Sequence, residues 1–108
     1  MYKTIQEESA KINIPIESKI SKKLAVFYNP VMKFNRDVSV FLLKALPDKK
    51  LQVCDLLAGT GIRSIRFLQQ LKKSKIKNIT INDFSDNAVK KIKENLRLNK
   101  IKNKKKVD

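Results

Sequence analysis

Residues 51–71, LQVCDLLAGTGIRSIRFLQQL, decide the fold. The run from Leu51 to Leu57 is nearly all apolar, which is typical of a strand buried on both faces of a parallel sheet. Gly59-Thr60-Gly61 predicts a tight turn after that strand. Apolar residues then recur at helical spacing, at Ile62, Ile65, Leu68 and Leu71. The stretch therefore predicts a strand, a glycine turn and a helix, in that order.

The sequence after this stretch adds a second strand and a further helix. Lys77 to Asp83 contains the strand, and Ser85 is predicted to cap a helix that turns Val89, Ile92 and Leu96 inward. This is the order of the first βαβα part of a doubly wound parallel α/β sheet. Two parallel strands do not make a stable sheet, and the lysine-dominated tail from Lys100 shows no periodicity. We therefore expect an incomplete fold, the front part of a longer protein.

A short extended segment and a helix precede the glycine stretch. Residues 4–16 alternate apolar and polar side chains towards their end and predict extended chain, followed by a polar linker at 18–23 and a short apolar run at 24–27. Asn35 is predicted to cap a helix that runs to about Leu46. The face of that helix predicted to point into the core carries Val38, Phe41, Leu42 and Ala45.

Composition narrows the class of protein. The 108 residues contain 25 Lys and Arg against 10 Asp and Glu, a net charge of +15, with one cysteine and no histidine. A single cysteine excludes an internal disulfide, and the lack of histidine removes the usual zinc ligands, so we expect no metal. No apolar run approaches the roughly 20 residues that span a bilayer, and we expect a cytoplasmic protein without membrane contact. Cys54 is predicted to be a buried structural thiol.

The basic charge has two interpretations. A large excess of positive charge favours polyanions such as RNA, because each phosphate neutralised releases condensed counterions. However, 21 of the 25 basic residues are lysines, and lysine-rich proteomes place solvated lysines on every helix face. The charge therefore permits an RNA partner without establishing one.

The glycine turn and two aspartates suggest a ligand site. Asp55 ends the first strand, Gly59 and Gly61 let a ligand approach the backbone, and Asp83 follows Gly61 by 22 residues, at the end of the next strand. The N-terminus of the helix after the turn suits a carboxylate or phosphate, and a carboxylate at the position of Asp83 can accept both hydroxyl hydrogens of a ribose. A nucleoside-containing cofactor is thus expected at this edge of the sheet.

Two cofactor classes share this pattern. A dinucleotide site favours a third glycine where Ser64 stands, with room for a pyrophosphate where Ile62 and Arg63 are bulky. S-adenosylmethionine has no pyrophosphate, and Arg63 or Arg36 can pair with its carboxylate. Two alternatives stay open at this point, namely half of a nucleotide-dependent, NAD-type oxidoreductase domain and a non-enzymatic basic RNA-binding module.

Several sequence blocks make the resemblance to a known family specific. The turn Asp55-Leu-Leu-Ala-Gly-Thr-Gly61 resembles the cofactor motif of class I S-adenosylmethionine-dependent methyltransferases, which have a Rossmann-like fold. Further blocks resemble, in order and spacing, those of the tRNA (guanine-26-N2)-dimethyltransferases over residues 5–99. These blocks are Phe27-Tyr28-Asn29-Pro30, Met32, Asn35-Arg36-Asp37, Ala58 to Phe67, Asn82-Asp83-x-Ser85-x-x-Ala88, Asn95 and Leu98-Asn99.

The resemblance implies a role for each candidate residue. It implies that Arg36, Arg63 and Asp83 contact S-adenosylmethionine, with Asp83 on the ribose hydroxyls and the two arginines holding the methionine end or ordering the pocket. Asp55 would support the turn formed by Gly59 and Gly61. Phe27 and Asn29 would line the pocket of the target guanine of tRNA. Residues 1–50 would form an N-terminal segment and helix packed on a cofactor-binding domain that begins at 51 and runs to 108.

The chain departs from the family in one important respect. The family places the acceptor for the guanine amine hydrogen in an Asp-Pro motif after a later strand, and this sequence contains no Asp-Pro. The resemblance therefore implies no catalytic residue in this chain, a missing C-terminal part, and weak cofactor binding without turnover by these 108 residues alone.

Overall fold

The elements lie in the order that the sequence predicts, with two additional strands. A computed structural model describes residues 2–16 and 28–108. The predicted linker at 18–23, the apolar run at 24–27 and Phe27 lie outside the described residues. The elements are β1 (Tyr2–Glu7), β2 (Ala10–Pro15), a 3₁₀ turn (Pro30–Met32), α1 (Lys33–Ala45), β3 (Leu51–Asp55), α2 (Ile62–Gln70), β4 (Ile76–Ile81), α3 (Asp86–Leu98) and β5 (Lys105–Val107).

The second sheet is parallel, as predicted, and its strand order is β3-β4-β5. The register pairs Val53 with Ile79 and Asp55 with Ile81, so the carboxyl ends of β3 and β4 meet at one edge. The sequence predicts only two parallel strands and no element in the tail from Lys100, and this is wrong, because β5 pairs with β4 in parallel. Its three residues are mostly lysine, and so short a strand shows no periodicity that a sequence could reveal.

Within the described residues, apolar side chains cover only one face of this sheet. Ile79 and Ile81 are fully buried on the face that α2 and α3 cover, together with Ile65 and Ile92. Gln52 and Cys54 alternate with that set in β3 and are exposed. The predictions of a strand buried on both faces and of a buried Cys54 are therefore wrong. The physical reason is that β3 is an edge strand whose second face carries no packed element among these residues.

The N-terminal extended segment is a hairpin rather than one strand. Strands β1 and β2 pair antiparallel, and Glu8 takes a positive φ of 52° in the turn between them. Two asparagines one helical turn apart in α3 hold the free edge of β2. Asn95 Oδ1 accepts from Asn13 N at 2.9 Å, and Asn99 Oδ1 accepts from Lys11 N at 2.8 Å. These side chains occupy hydrogen-bond positions that a neighbouring strand would fill.

Helix α1 packs through a different face from the predicted one. It follows the 3₁₀ turn, which Asn29 caps, so Asn35 lies inside the helix and is not its cap. Phe41 and Leu42 are 66% and 58% exposed, whereas Arg36 and Val40 are buried. The apolar spacing therefore predicts the wrong inward face. The physical reason is that α1 contacts the rest of the chain through ion pairs from Arg36 and Asp37. In the part of the chain that the structure describes, no helix is long and apolar enough to cross a membrane.

Candidate functional site

A cavity of about 220 Å³ opens where the carboxyl ends of β3 and β4 meet α1. It brings together most of the residues singled out from the sequence, namely Asn29, Arg36, Asp55, Gly59, Arg63 and Asp83. Gly61 stands between two lining residues, Thr60 and Ile62, but does not line the cavity itself. Phe27 lies outside the described residues. Within those residues, no group of three or more His, Cys, Asp or Glu side chains is placed to hold a metal ion.

The glycine turn forms one wall of the cavity. Both glycines have positive φ angles, 58° at Gly59 and 82° at Gly61. A Cβ on Gly61 would lie 3.4 Å from Cγ2 of Ile92 in α3, at the lower limit of ordinary van der Waals contact. Sequence reasoning assigned both glycines to the approach of a ligand. The structure gives Gly61 a different cause, because its positive φ disfavours a side chain and α3 leaves little spare room for one.

Asp83 ties the glycine turn to the end of β4. Its Oδ2 accepts a hydrogen bond from Gly59 N at 2.9 Å, and its Oδ1 accepts one from Ser85 N at 3.0 Å. Each carboxylate oxygen can accept more than one hydrogen bond, so both still have capacity for a ligand hydroxyl at the cavity. The backbone bonds fix the carboxylate in place, as a site that recognises a diol requires.

Asp55 lies beneath the turn. Burial raises the pKa of its carboxyl above the ordinary value, while a hydrogen bond from Ser64 Oγ at 2.7 Å and the charge of Arg63 act in the opposite direction. The hydrogen bond links the end of β3 to the first turn of α2. Asp55 therefore supports the turn, but its carboxyl group is partly buried, and burial makes the ionised form less stable than it is in water.

Arg63 is held by the opposite wall. Its guanidinium donates from Nη1 to Ser39 Oγ at 2.5 Å and from Nη2 to Asn35 Oδ1 at 2.8 Å, both on α1. Arg63 thus bridges the first turn of α2 to α1 across the cavity. Its positive charge is fixed close to Asp55 and is available to an anionic group in the cavity.

Arg36 is the most buried of the predicted ligand contacts, at 5% exposure. Its Nε donates to both oxygens of Glu7, at 3.1 and 2.9 Å, and its Nη2 donates to Glu7 Oε1 at 2.6 Å. The same Nη2 donates to the backbone oxygen of Asn29 at 3.1 Å, and the guanidinium lies 5.0 Å from the centre of the Tyr28 ring. A guanidinium held by so many partners has a fixed direction.

Glu7 is the centre of a buried cluster that sequence reasoning missed. Its Oε1 accepts from Tyr28 Oη at 3.1 Å, and its Oε2 accepts from Arg66 Nη1 at 3.1 Å. Arg66 Nη1 also lies 2.7 Å from Asp37 Oδ1. Burial by itself would raise the pKa of Glu7, but hydrogen bonding and charge from Arg36, with help from Tyr28 and Arg66, hold that pKa below the ordinary value. Glu7 is therefore ionised in the fold.

The amino-acid sequence gives little indication of this cluster. Tyr28 and Arg66 stand inside the blocks that carried the family resemblance, but nothing in their spacing distinguished them from solvated side chains. Glu7 stands beside Glu8 in a segment that reads as extended, and only the hairpin shows that one of the two carboxylates points inward.

Asn29 lines the cavity with part of its hydrogen-bonding capacity already used. Its Oδ1 accepts from Val31 N at 3.0 Å and caps the 3₁₀ turn, and its backbone oxygen accepts from Arg36. The side-chain amide NH₂ is the polar group that it can still offer to a ligand.

Comparison with known proteins identifies related sequences over nearly the whole chain. A family model described as N2,N2-dimethylguanosine tRNA methyltransferase matches residues 4–108. The chain is 44% identical over 105 residues to a tRNA (guanine(26)-N(2))-dimethyltransferase of Methanococcus maripaludis strain C7, covering 94% of this chain and 28% of that protein. It is 37% identical over 103 residues to the enzyme of the same description from Methanobrevibacter smithii, covering 93% of this chain and 26% of that protein.

Solved structures agree with the sequence matches. Trm1 from Pyrococcus horikoshii in complex with S-adenosyl-L-methionine superposes with a TM-score of 0.74 at 39% identity, covering 93% of this chain and 24% of that chain. Trm5b from Pyrococcus abyssi superposes with a TM-score of 0.75 at 20% identity, covering 98% of this chain and 27% of that chain, and shows a shared fold. The chain thus spans about a quarter of the length of the relatives that it matches.

Proposed function

Because this chain belongs to the N2,N2-dimethylguanosine tRNA methyltransferase family, we propose that it is the S-adenosylmethionine-binding front part of a tRNA (guanine-26-N2)-dimethyltransferase. The observation that carries the proposal is the Asp83 carboxylate, which is hydrogen-bonded to Gly59 N of the glycine turn and faces two arginines across one cavity. This arrangement offers a diol acceptor on one side and carboxylate partners on the other.

The residues of the cavity fit the two ends of that cofactor. Asp83 accepts hydrogen bonds from the ribose hydroxyls, while Arg36 and Arg63 pair with the carboxylate of the methionine end. Gly59 and Gly61 keep the turn open beside the ligand, and Asp55 holds that turn through Ser64. When bound, the cofactor supplies a sulfonium methyl group that the exocyclic amine of guanine can attack in line. The chain's own contribution is to position the cofactor.

The same proposal assigns the tRNA and the remaining catalytic groups. Phe27 and Asn29 line the pocket of the target guanine, and the net charge of +15 favours the phosphates of tRNA. The acceptor for the amine hydrogen is assigned to the C-terminal part that the family resemblance implies, and these 108 residues cover 28% of the Methanococcus maripaludis relative. The proposal divides the chain into an N-terminal segment, residues 1–50, and the first part of a cofactor-binding domain that begins at 51.

Cofactor binding tests this function directly. We expect equilibrium dialysis of the full chain with labelled S-adenosylmethionine to show binding that NAD does not compete away. Asp83→Asn removes a charge-assisted acceptor and should weaken that binding by about tenfold or more. Asp86→Asn, which removes the same charge from an exposed position at the start of α3, is the matched control and should leave the affinity unchanged. Tighter binding of NAD than of S-adenosylmethionine would overturn the proposal.

A further inference from the structure

We propose that Glu7 is a positioning residue for the cofactor, because it fixes the guanidinium of Arg36 so that Nη1 faces the cavity and receives the methionine carboxylate. This inference rests on the proposed function, and it assigns a role to a residue of the N-terminal hairpin rather than to the glycine turn. Glu7 does not line the cavity itself, and it accepts hydrogen bonds from two residues that do, Tyr28 and Arg36.

The first step concerns which nitrogens of Arg36 are engaged. Nε and Nη2 donate to the Glu7 carboxylate, and Nη2 also donates to the backbone oxygen of Asn29. Nη1 has no hydrogen-bond partner among the described residues, although every fully buried side-chain nitrogen or oxygen there has one. Nη1 is therefore not fully buried. Arg36 lines the cavity, so we assign Nη1 to a ligand bound there.

The second step concerns what holds Glu7. Tyr28 Oη and Arg66 Nη1 each donate to a different oxygen of its carboxylate, and Arg66 is held in turn by Asp37 and by Gln70, whose Oε1 accepts from Arg66 Nε at 2.7 Å. These partners come from the chain just before the 3₁₀ turn, from α1 and from α2. The carboxylate cannot turn without breaking bonds to several elements, and this rigidity passes to Arg36.

The third step is the physical advantage of the arrangement. A long arginine side chain at a binding site normally loses rotamer freedom when its ligand arrives, and that loss weakens binding. Because Glu7 already restricts the rotamers of Arg36 in the folded chain, the Arg36 side chain is oriented before the ligand binds. A purely structural ion pair would use the same guanidinium edge, but it would not require Arg36 to line the cavity with its remaining nitrogen exposed.

The test compares two ligands on one variant. We would measure the affinities of S-adenosylmethionine and of 5′-methylthioadenosine, which keeps the nucleoside and lacks the amino-acid end, for the full chain and for Glu7→Gln. We expect the variant to bind S-adenosylmethionine about tenfold more weakly and 5′-methylthioadenosine equally well. The ratio of the two affinities is the readout, because any unfolded fraction of the variant lowers both affinities by the same factor.

Glu8→Gln is the matched control, since it makes the same change at the neighbouring, exposed carboxylate that pairs with Lys33. It should leave the ratio unchanged. An equal loss for both ligands in Glu7→Gln, or no loss for either, would overturn the role of Glu7 while leaving the proposed function intact. Failure of the unsubstituted chain to bind either ligand would overturn the proposed function, and the role of Glu7 with it.

Discussion

The two walls of the cavity are built in opposite ways. The turn wall, made of Asp55, Gly59, Gly61 and Asp83, lies within 29 consecutive residues and depends on backbone conformation and backbone hydrogen bonds. In the cluster wall, Tyr28 and Arg36 line the cavity and are held by Glu7, which Arg66 holds in turn, so that side chains alone join residues as far as 59 positions apart. The turn wall is therefore a local device, whereas the cluster wall exists only once the hairpin, α1 and α2 have come together.

This difference has consequences for stability and for binding. In the turn wall, the glycines are constrained by their own backbone and the two aspartates by hydrogen bonds from residues of the turn and of the adjoining helix starts, so a substitution should act locally. In the cluster wall, ionised side chains depend on one another, so removal of one leaves the others buried without a partner. We therefore expect substitutions in the cluster wall to have the larger effects on folding, and those in the turn wall to act more on the ligand.

The largest effect is expected for Glu7→Ala. It leaves Arg36 and Arg66 buried, at 5% and 3% exposure, without their central carboxylate, and breaking a buried pair in this way costs about 3–5 kcal/mol. Urea unfolding of the full chain, followed by circular dichroism, measures the loss. A loss below about 1 kcal/mol would show that the cluster contributes no more than an exposed ion pair and would remove the distinction between the walls.

The pH dependence of the same variant gives a second readout. The pKa of Glu7 is lowered in the fold, so its contribution is complete above the unfolded value of about 4.3 and is lost as the pH falls through the folded value. The difference in unfolding free energy between the parent and Glu7→Ala should therefore shrink in acid. Glu8→Ala, at the exposed end of the hairpin, should not show the loss.

The contrast between the walls also explains what the sequence could and could not predict. The parallel order of β3 and β4, the cap at Ser85 and the approach of Asp83 to the glycine turn follow from signals in one continuous stretch of the sequence, residues 51–98. The inward face of α1 could not be found in this way. Its apolar stripe at Val38, Phe41 and Leu42 is exposed in this chain, because Arg36 and Asp37 on another side of the helix are committed to distant partners.

A middle-sized effect is expected for Gly61→Ala. At a φ of 82° an alanine is strained, and its Cβ would press on Ile92 at 3.4 Å, so we expect a loss of about 1–3 kcal/mol in unfolding free energy. Gly59→Ala is the matched control within the same turn. Its φ of 58° lies in the left-handed region that alanine adopts at a cost of about 1–2 kcal/mol, and Ile92 does not oppose it.

Unfolding by urea separates the two glycine variants. A smaller loss in Gly61→Ala than in Gly59→Ala would contradict the assignment of Gly61 to packing against α3. The affinity for S-adenosylmethionine should change in the reverse order, with the larger loss in Gly59→Ala and the smaller loss in Gly61→Ala. Gly59 lines the cavity and donates to Asp83, whereas Gly61 lies behind the lining.

The smallest effect, and the one of opposite sign, is expected for Asp55→Asn. Burial raises the pKa of Asp55, so its ionised form is less stable in the fold than in water, and its contribution to stability falls as the pH rises above the unfolded value of about 3.9. Asparagine keeps an oxygen to accept from Ser64 Oγ and carries no charge. We therefore expect the variant to be more stable than the parent at neutral pH, and this difference to disappear in acid.

The same substitution should weaken the binding of S-adenosylmethionine, because the carboxylate helps to hold Arg63 and the turn in their places. Asp48→Asn, in the exposed connection before β3, is the control and should change neither property. A gain in stability with a loss of affinity would mean that the Asp55 carboxylate lowers the stability of the fold and strengthens the binding of the ligand. A loss of stability at neutral pH would instead make Asp55 a structural residue and bring the two walls closer in kind.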